Sequence, residues 1–191
     1  MVDARIGVLA LQGDFAEHLS ILASCGYRSR EVRSVEDLEG SDALIIPGGE
    51  STTQLKLIDR YDLRDPIRKR VASGMPVFGT CAGAIVLAEQ TSDGEPPLGV
   101  VPLQITRNAY GRQVDSFEAD IHVPRLGGTV RGVFIRAPII EDAGSAEVLA
   151  SWAERPVLVQ LESVLASTFH PELVQEPRIH RYFIEKFCRS A

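Results

Sequence analysis

Gly79-Thr80-Cys81-Ala82-Gly83 sets a thiol among small residues, where one apolar run (75–79) gives way to another (82–89). If the first run is a strand and the second a helix, Cys81 sits on the tight turn between them. Its side chain then projects into a cleft at the carboxyl edge of a sheet. Small residues at 79 and 83 let strand and helix approach closely. The unpaired N–H groups and positive potential of a helix start favour thiolate over thiol, and can bring a cysteine pKa down from about 8.5 toward neutrality. The chemistry on offer is nucleophilic attack. A small buried hydrophobe is the plain alternative, and it must treat two flanking glycines as coincidence. Cys25 and Cys188, on apolar faces of predicted helices, fit that plain reading.

A nucleophilic thiol needs a base, and the base needs orienting. Of four histidines, His18 and His180 fall in predicted helices and His122 in a polar strand, where surface or packing roles suffice. His170 differs, because it follows the apolar stretch 163–169 and opens His170-Pro171-Glu172. Pro171 holds His170 extended, so Glu172 reaches back to the same side. One ring nitrogen then faces the thiol and the other the carboxylate, which fixes the tautomer and stabilises imidazolium. Alone, the tripeptide also fits a turn at a strand end; joined to the Cys81 turn it completes a Cys-His-Glu set. The third element is PGGEST at 47–52. Its glycines let backbone N–H groups approach a ligand, so Gly49 and Ala82 N–H groups can hold the oxyanion of a tetrahedral intermediate. A plain turn and a phosphate loop are the competing readings, but the P-loop lysine and the GxGxxG spacing are missing.

The elements that must carry these residues alternate in type. Residues 5–11 read as a strand. A helix follows, with Asp14 as its cap, Phe15, Leu19, Leu22 and Ala23 at helical spacing and Gly26 at its end. Strands are expected at 28–33, 42–47 and 75–79, the second being a continuous apolar run of the kind buried on both faces. Helices are expected at 51–59, started by Ser and Thr, and at 63–73, ended by Gly74. The order implies an α/β fold: a three-layer, flavodoxin-like, mostly parallel sheet with helices on both faces, and ligands beyond the strands' carboxyl ends. After the loop 91–99 come strands near 100–108, 114–123, 130–136, 156–163 and 164–170, then an amphipathic helix at 177–188.

A chain of 191 residues, 45% hydrophobic and 24% charged, is expected to form one domain over 1–191. Its net charge of -6 argues against nucleic acid or anionic membrane as a partner. Three scattered cysteines without CxxC spacing indicate neither a disulfide framework nor a structural metal. No segment has signal-peptide or membrane-spanning character, so a cytoplasmic location is expected.

The succession PGGES, GTCAG, HPE resembles the triad-type (class I) glutamine amidotransferases. RNAYGRQVDSFEAD (107–120) and GVFIRAP (132–138) are more specifically similar to the glutaminase subunits of pyridoxal phosphate synthases, and the likeness spans nearly the whole chain. The resemblance implies Cys81 as nucleophile, His170 as base and Glu172 as its partner. It implies glutamine contacts at Gly49, Glu50, Ser51, Arg107, Ile135 and Arg136. A guanidinium can bind an α-carboxylate bidentately, although on residues alone a surface or ion-paired arginine is the simpler reading of both. Ammonia is then expected to pass to a (β/α)8 barrel synthase subunit that builds pyridoxal phosphate from a pentose and a triose phosphate. No metal or cofactor is implied. A free-standing cysteine hydrolase and a silent binding module are the competing classes, and the second would have lost a triad member.

Overall fold

The computed structural model describes residues 4–107, 116–174 and 176–188. In chain order β1 (Arg5–Leu9) leads to α1 (Phe15–Ser24), β2 (Arg28–Val32) to α2 (Val35–Glu39), and β3 (Ala43–Ile46) to α3 (Ser51–Arg60) and α4 (Arg64–Ala72). Then β4 (Val77–Thr80) runs into α5 (Ala82–Leu87), followed by β5 (Ala88–Thr91), β6 (Val101–Thr106), β7 (Ser116–Val123), β8 (Gly128–Ile135) and β9 (Ile139–Asp142). The chain closes with β10 (Glu147–Trp152), β11 (Arg155–Leu161), β12 (Val164–Ser167) and α6 (Pro177–Phe187).

The main sheet has the order β10-β11-β12-β4-β3-β1-β2. From β12 to β2 every pairing is parallel, and β10 and β11 add an antiparallel edge. Its five parallel strands, counted along the chain, run 2-1-3-4-5, the flavodoxin-like order. The apolar run of β3 explains why it is central. Ala43 and Ile45 enter one core with Leu22 of α1 and Phe183 of α6, while Leu44 and Ile46 enter the other with Leu55 of α3 and Ile67 of α4. Period-two alternation thus feeds helices on both faces. The expected three-layer, mostly parallel architecture is what forms, with smaller sheets β5-β6-β9 and β7-β8 added.

Several local readings need correction. The helix after Cys81 is six residues long, and Ala88 turns extended (ψ 161) to start β5. An apolar run buried on all sides carries no periodicity to separate helix from strand. Helix α2, strand β9 and strand β10 were not anticipated, although Ser34 and Asp37 form a reciprocal capping box. Helix α3 is capped by the Glu50 carboxylate, which accepts from the Thr52 and Thr53 N–H groups, rather than by Ser51. Asp14 occupies the N-cap position of α1 but its side chain makes no capping bond. Cys25 is the half-buried C-cap residue of α1 rather than part of its apolar face. Pro102 lies where the β5–β6 register slips, which spares the ladder its missing N–H. Residues 108–115, part of the motif at 107–120, lie outside the described residues.

Close approach of α5 to the sheet is absolute at Gly83. A Cβ there would sit 2.0 Å from the Ile46 carbonyl oxygen, and one on Gly79 would meet the Gly83 carbonyl at 2.6 Å. Because the obstacles are backbone atoms, Gly83→Ala is expected to destabilise the fold by about 1–3 kcal/mol. Urea unfolding measures this, and an unchanged midpoint would show that α5 can shift freely.

Candidate active site

Strand β4 and helix α5 meet at Cys81, whose backbone is at φ 49, ψ -105. A non-glycine residue held there stores strain, a recurrent feature of turns that present a reacting side chain. Its N–H donates to the Ser167 carbonyl at 2.8 Å, which fixes the turn against β12. The thiol lies 3.9 Å from the Ile135 carbonyl oxygen and is 5% exposed, at the wall of a cavity of about 350 Å³. That volume suits a small metabolite.

His170 follows the end of β12 and is pinned by its N–H to the Val133 carbonyl of β8, at 2.8 Å. Its Nδ1 is 2.8 Å from Glu172 Oε1 and 3.3 Å from Asp14 Oδ2, and the Cys81 thiol is a further neighbour of the ring. Burial alone would lower the imidazole pKa. The Asp14, Cys81 and Glu172 partners overcome it and push the value up to about 12, so the ring is held as imidazolium. Glu172, 2% exposed, starts a short 3-10 turn behind the ring. Burial would raise its pKa, but the His18 and His170 rings hold it well below the usual carboxylate range.

Beside the ring, Gly48 packs so tightly that a Cβ would lie 2.2 Å from His170 Cε1. Its carbonyl accepts from Asp14 N–H at 3.1 Å and Gln54 Nε2 at 3.4 Å. A trans peptide sets N–H opposite C=O, so the Gly49 N–H points away from those donors. Ala82 opens α5, and its N–H therefore has no acceptor inside the helix.

All the expected site residues except Glu172 line the same cavity: Gly49, Glu50, Ser51, Cys81, Ala82, Arg107, Ile135, Arg136 and His170. The two arginines differ. Arg107 is bonded to Glu50 at 3.1 Å and lies 3.4 Å from Asp93, so it carries the ion pairs of the simpler reading while facing the cavity. Burial opposes ionisation of Glu50, yet donors led by Thr53 bring its pKa down to about 2. Arg136 makes no ion pair among the described residues and sits at φ 41, another strained non-glycine backbone.

Sequence reasoning missed the placement of Gln12 and Asp14 and the contacts of His18 and His180. Gln12 and Asp14 line the cavity. His18 and His180, read as surface or packing residues, are fully buried and bonded to each other beside Glu172. His122 is exposed, as that reading allows. Asp14, His170 and Glu172 bring ligand atoms within 4.8 Å of one another, and two of these residues are already hydrogen-bonded to each other through His170 Nδ1 and Glu172 Oε1.

One solved structure, described as a glutamine amidotransferase, matches with a TM-score of 0.90 at 54% identity, covering 94% of this chain and 97% of that one. A solved structure of PurLQS from Thermotoga maritima shares the fold alone, with a TM-score of 0.71 at 15% identity over 97% of this chain and 99% of that one. The fold is that of the class I glutamine amidotransferases. Within this class, the chain belongs to the SNO glutamine amidotransferase family, which it matches over residues 8–189. It is 52% identical to the pyridoxal 5'-phosphate synthase subunit PdxT of Pelotomaculum thermopropionicum, over 97% of this chain and 96% of that protein. To the PdxT subunit of Thermus thermophilus it is 54% identical, over 94% and 96%.

Proposed function

We propose that the chain hydrolyses L-glutamine to glutamate and ammonia through a Cys81-His170-Glu172 triad and delivers the ammonia to a pyridoxal phosphate synthase subunit for vitamin B6 synthesis. The observation that carries the chemistry is the 2.8 Å His170 Nδ1–Glu172 Oε1 contact behind a thiol on a strained turn. The Cys81 thiolate attacks the side-chain amide carbon, and the Gly49 and Ala82 N–H groups receive the oxyanion. His170, as imidazolium, protonates the departing ammonia and leaves a γ-glutamyl thioester. The then neutral His170 takes a proton from water, which hydrolyses the thioester to glutamate and restores the thiolate.

The delivery step rests on the relatives named as synthase subunits. Ammonia released into water is protonated and lost, so a glutaminase serving another active site gains by waking only on docking. The Gly48-Gly49 peptide is the element able to turn, and a partner that holds its N–H toward the cleft completes the oxyanion hole. A hundredfold activation needs only about 2.7 kcal/mol of differential binding. Steady-state glutamate release is therefore expected to be low for the chain alone and about a hundredfold higher with saturating barrel subunit. Equal turnover in both conditions favours a free-standing hydrolase instead.

Recognition of glutamine is assigned to the arginine side of the cavity. Arg136, with no ion pair among the described residues, takes the α-carboxylate, and Arg107 holds Glu50 and the start of α3 in place. Losing such a charge-assisted contact costs about 1.5–3 kcal/mol. Arg136→Ala and Arg107→Ala are each expected to lower the rate at low glutamine by about 10- to 150-fold. Wild-type glutamine dependence in both variants would return the arginines to a surface role.

A further inference from the structure

The core between β4, α1 and α6 holds two histidines where apolar residues are the rule. His18 Nδ1 is 2.8 Å from His180 Nε2, and His18 Nε2 is 3.1 Å from Thr80 Oγ1 and 3.5 Å from Glu172 Oε1. Thr80, also fully buried, accepts the Gly48 N–H at 3.0 Å and lies 3.3 Å from Glu172 Oε1. Glu172 Oε2 has no partner among the described residues, so the carboxylate is held through one oxygen.

Proton counting orients this cluster. A hydroxyl has one proton to give and two lone pairs to receive with. If His18 Nε2 were bare it would take the Thr80 proton, and the buried carboxylate would be left with His170 as its only close donor. An Nε2–H on His18 instead donates into Thr80 and frees the hydroxyl proton for Glu172. A buried carboxylate with two donors is far better placed than one with a single donor. Burial, with the His18 ring beside it, holds His180 neutral with a pKa near 3, which makes it a neutral partner for His18.

We infer that Thr80 and His18 are positioning residues of the glutaminase reaction proposed above: His18 Nε2–H sets the Thr80 hydroxyl, which donates to Glu172 Oε1 and accepts the Gly48 N–H. One hydroxyl thereby locks the triad acid to the oxyanion loop, one residue before the nucleophile. Neither residue lines the cavity, so neither touches substrate. Their effect passes through Glu172 and Gly48, and belongs in kcat.

The test rests on the proposed glutaminase reading and keeps the two apart. Glutamate release is measured for wild type, Cys81→Ala, Thr80→Val and Thr80→Ser, alone or with barrel subunit, whichever condition makes the wild type active. Misplacing catalytic groups by about 1 Å costs up to about a hundredfold. Thr80→Val is therefore expected to lower kcat about 10- to 100-fold, with KM for glutamine within about twofold of wild type. Thr80→Ser, which keeps the hydroxyl, is expected to restore most of it. A folded Thr80→Val enzyme at wild-type kcat overturns the inference, as does a loss that serine does not rescue or one confined to KM. If Thr80→Val does not fold, His18 decides. Glutamine can place an amide nitrogen near the Nε2 position and asparagine only near Nδ1, so His18→Gln must retain more turnover than His18→Asn. The reverse order overturns the proposal. A wild type no better than Cys81→Ala would instead remove the glutaminase reading itself.

Discussion

Cys81→Ala is expected to abolish glutamine hydrolysis while leaving the chain folded. Removing a triad nucleophile costs about five to six orders of magnitude in turnover. The fold is spared because alanine keeps the Cβ, the N–H donated to Ser167 and the strained backbone at φ 49. Cys81→Gly is a second control: it relieves the 1–3 kcal/mol or so stored in that conformation, so its Tm is expected to match or exceed that of Cys81→Ala, with both inactive. Labelling gives an independent measurement. Burial, with Asp42 beside it, pushes the Cys188 thiol up to about 12, so it resists alkylation, and Cys25 lies outside the cavity that Cys81 lines. A glutamine-like alkylating agent is therefore expected to label Cys81 first. An alanine enzyme with wild-type turnover, or mass mapping that finds Cys25 or Cys188 first, removes the thiol from the mechanism.

What could be read in advance follows from how far each signal reaches along the chain. The Cys81 turn was legible because its requirements are local: small residues at 79 and 83 and a change of apolar pattern within a dozen positions. His170-Pro171-Glu172 was legible for the same reason, since proline acts on its immediate neighbour. Parallel strands announced themselves as runs such as 43–46, apolar at every position because helices cover both faces. Asp14 was misread because an aspartate before an apolar periodic run looks like a cap whatever its side chain does. Its actual partner, His170, lies at the far end of the chain. His18 and His180 keep the packing role read for them, but their mutual contact was hidden for the same reason: each sits at a core-facing helical position, and only the tertiary fold brings the two rings 2.8 Å apart beside Glu172. The strand at 88–91 failed for want of period, as it follows a helix buried on every side and shows no in-out alternation of its own. The local placement of these residues was legible, and the polar contacts made to them from across the core were not.

Glu172→Gln carries the second large effect, expected at about 10³- to 10⁴-fold in kcat with little change in KM. The substitution preserves volume but removes the charge that stabilises the His170 imidazolium. It also creates a hydrogen-bonding conflict. If the amide oxygen takes the Oε1 position, it keeps its donors from His170 and Thr80, but the NH2 group falls where Oε2 has no partner, an unsatisfied buried donor. If the amide turns over, its NH2 faces His170 Nδ1, which must then accept, and the ring proton moves to Nε2, the wrong nitrogen for a base facing the thiol. The first arrangement thus costs the imidazolium its anionic partner and leaves a buried donor unpaired, and the second breaks the proton path to Cys81. Stability should follow with a defined pH dependence. The Glu172 carboxyl in the folded chain lies well below its unfolded value, so the wild type gains stability above the usual carboxylate range and loses it as pH falls through and below that range. The Tm gap between wild type and Glu172→Gln is thus expected to be widest near pH 7, to begin closing only at about pH 4 and to go on shrinking at lower pH. Thermal unfolding across that interval, beside glutamate release at neutral pH, measures both effects. A glutamine variant within tenfold of wild-type kcat would show that His170 needs no anionic partner, and a Tm gap that widens on acidification would reverse the sign assigned to Glu172.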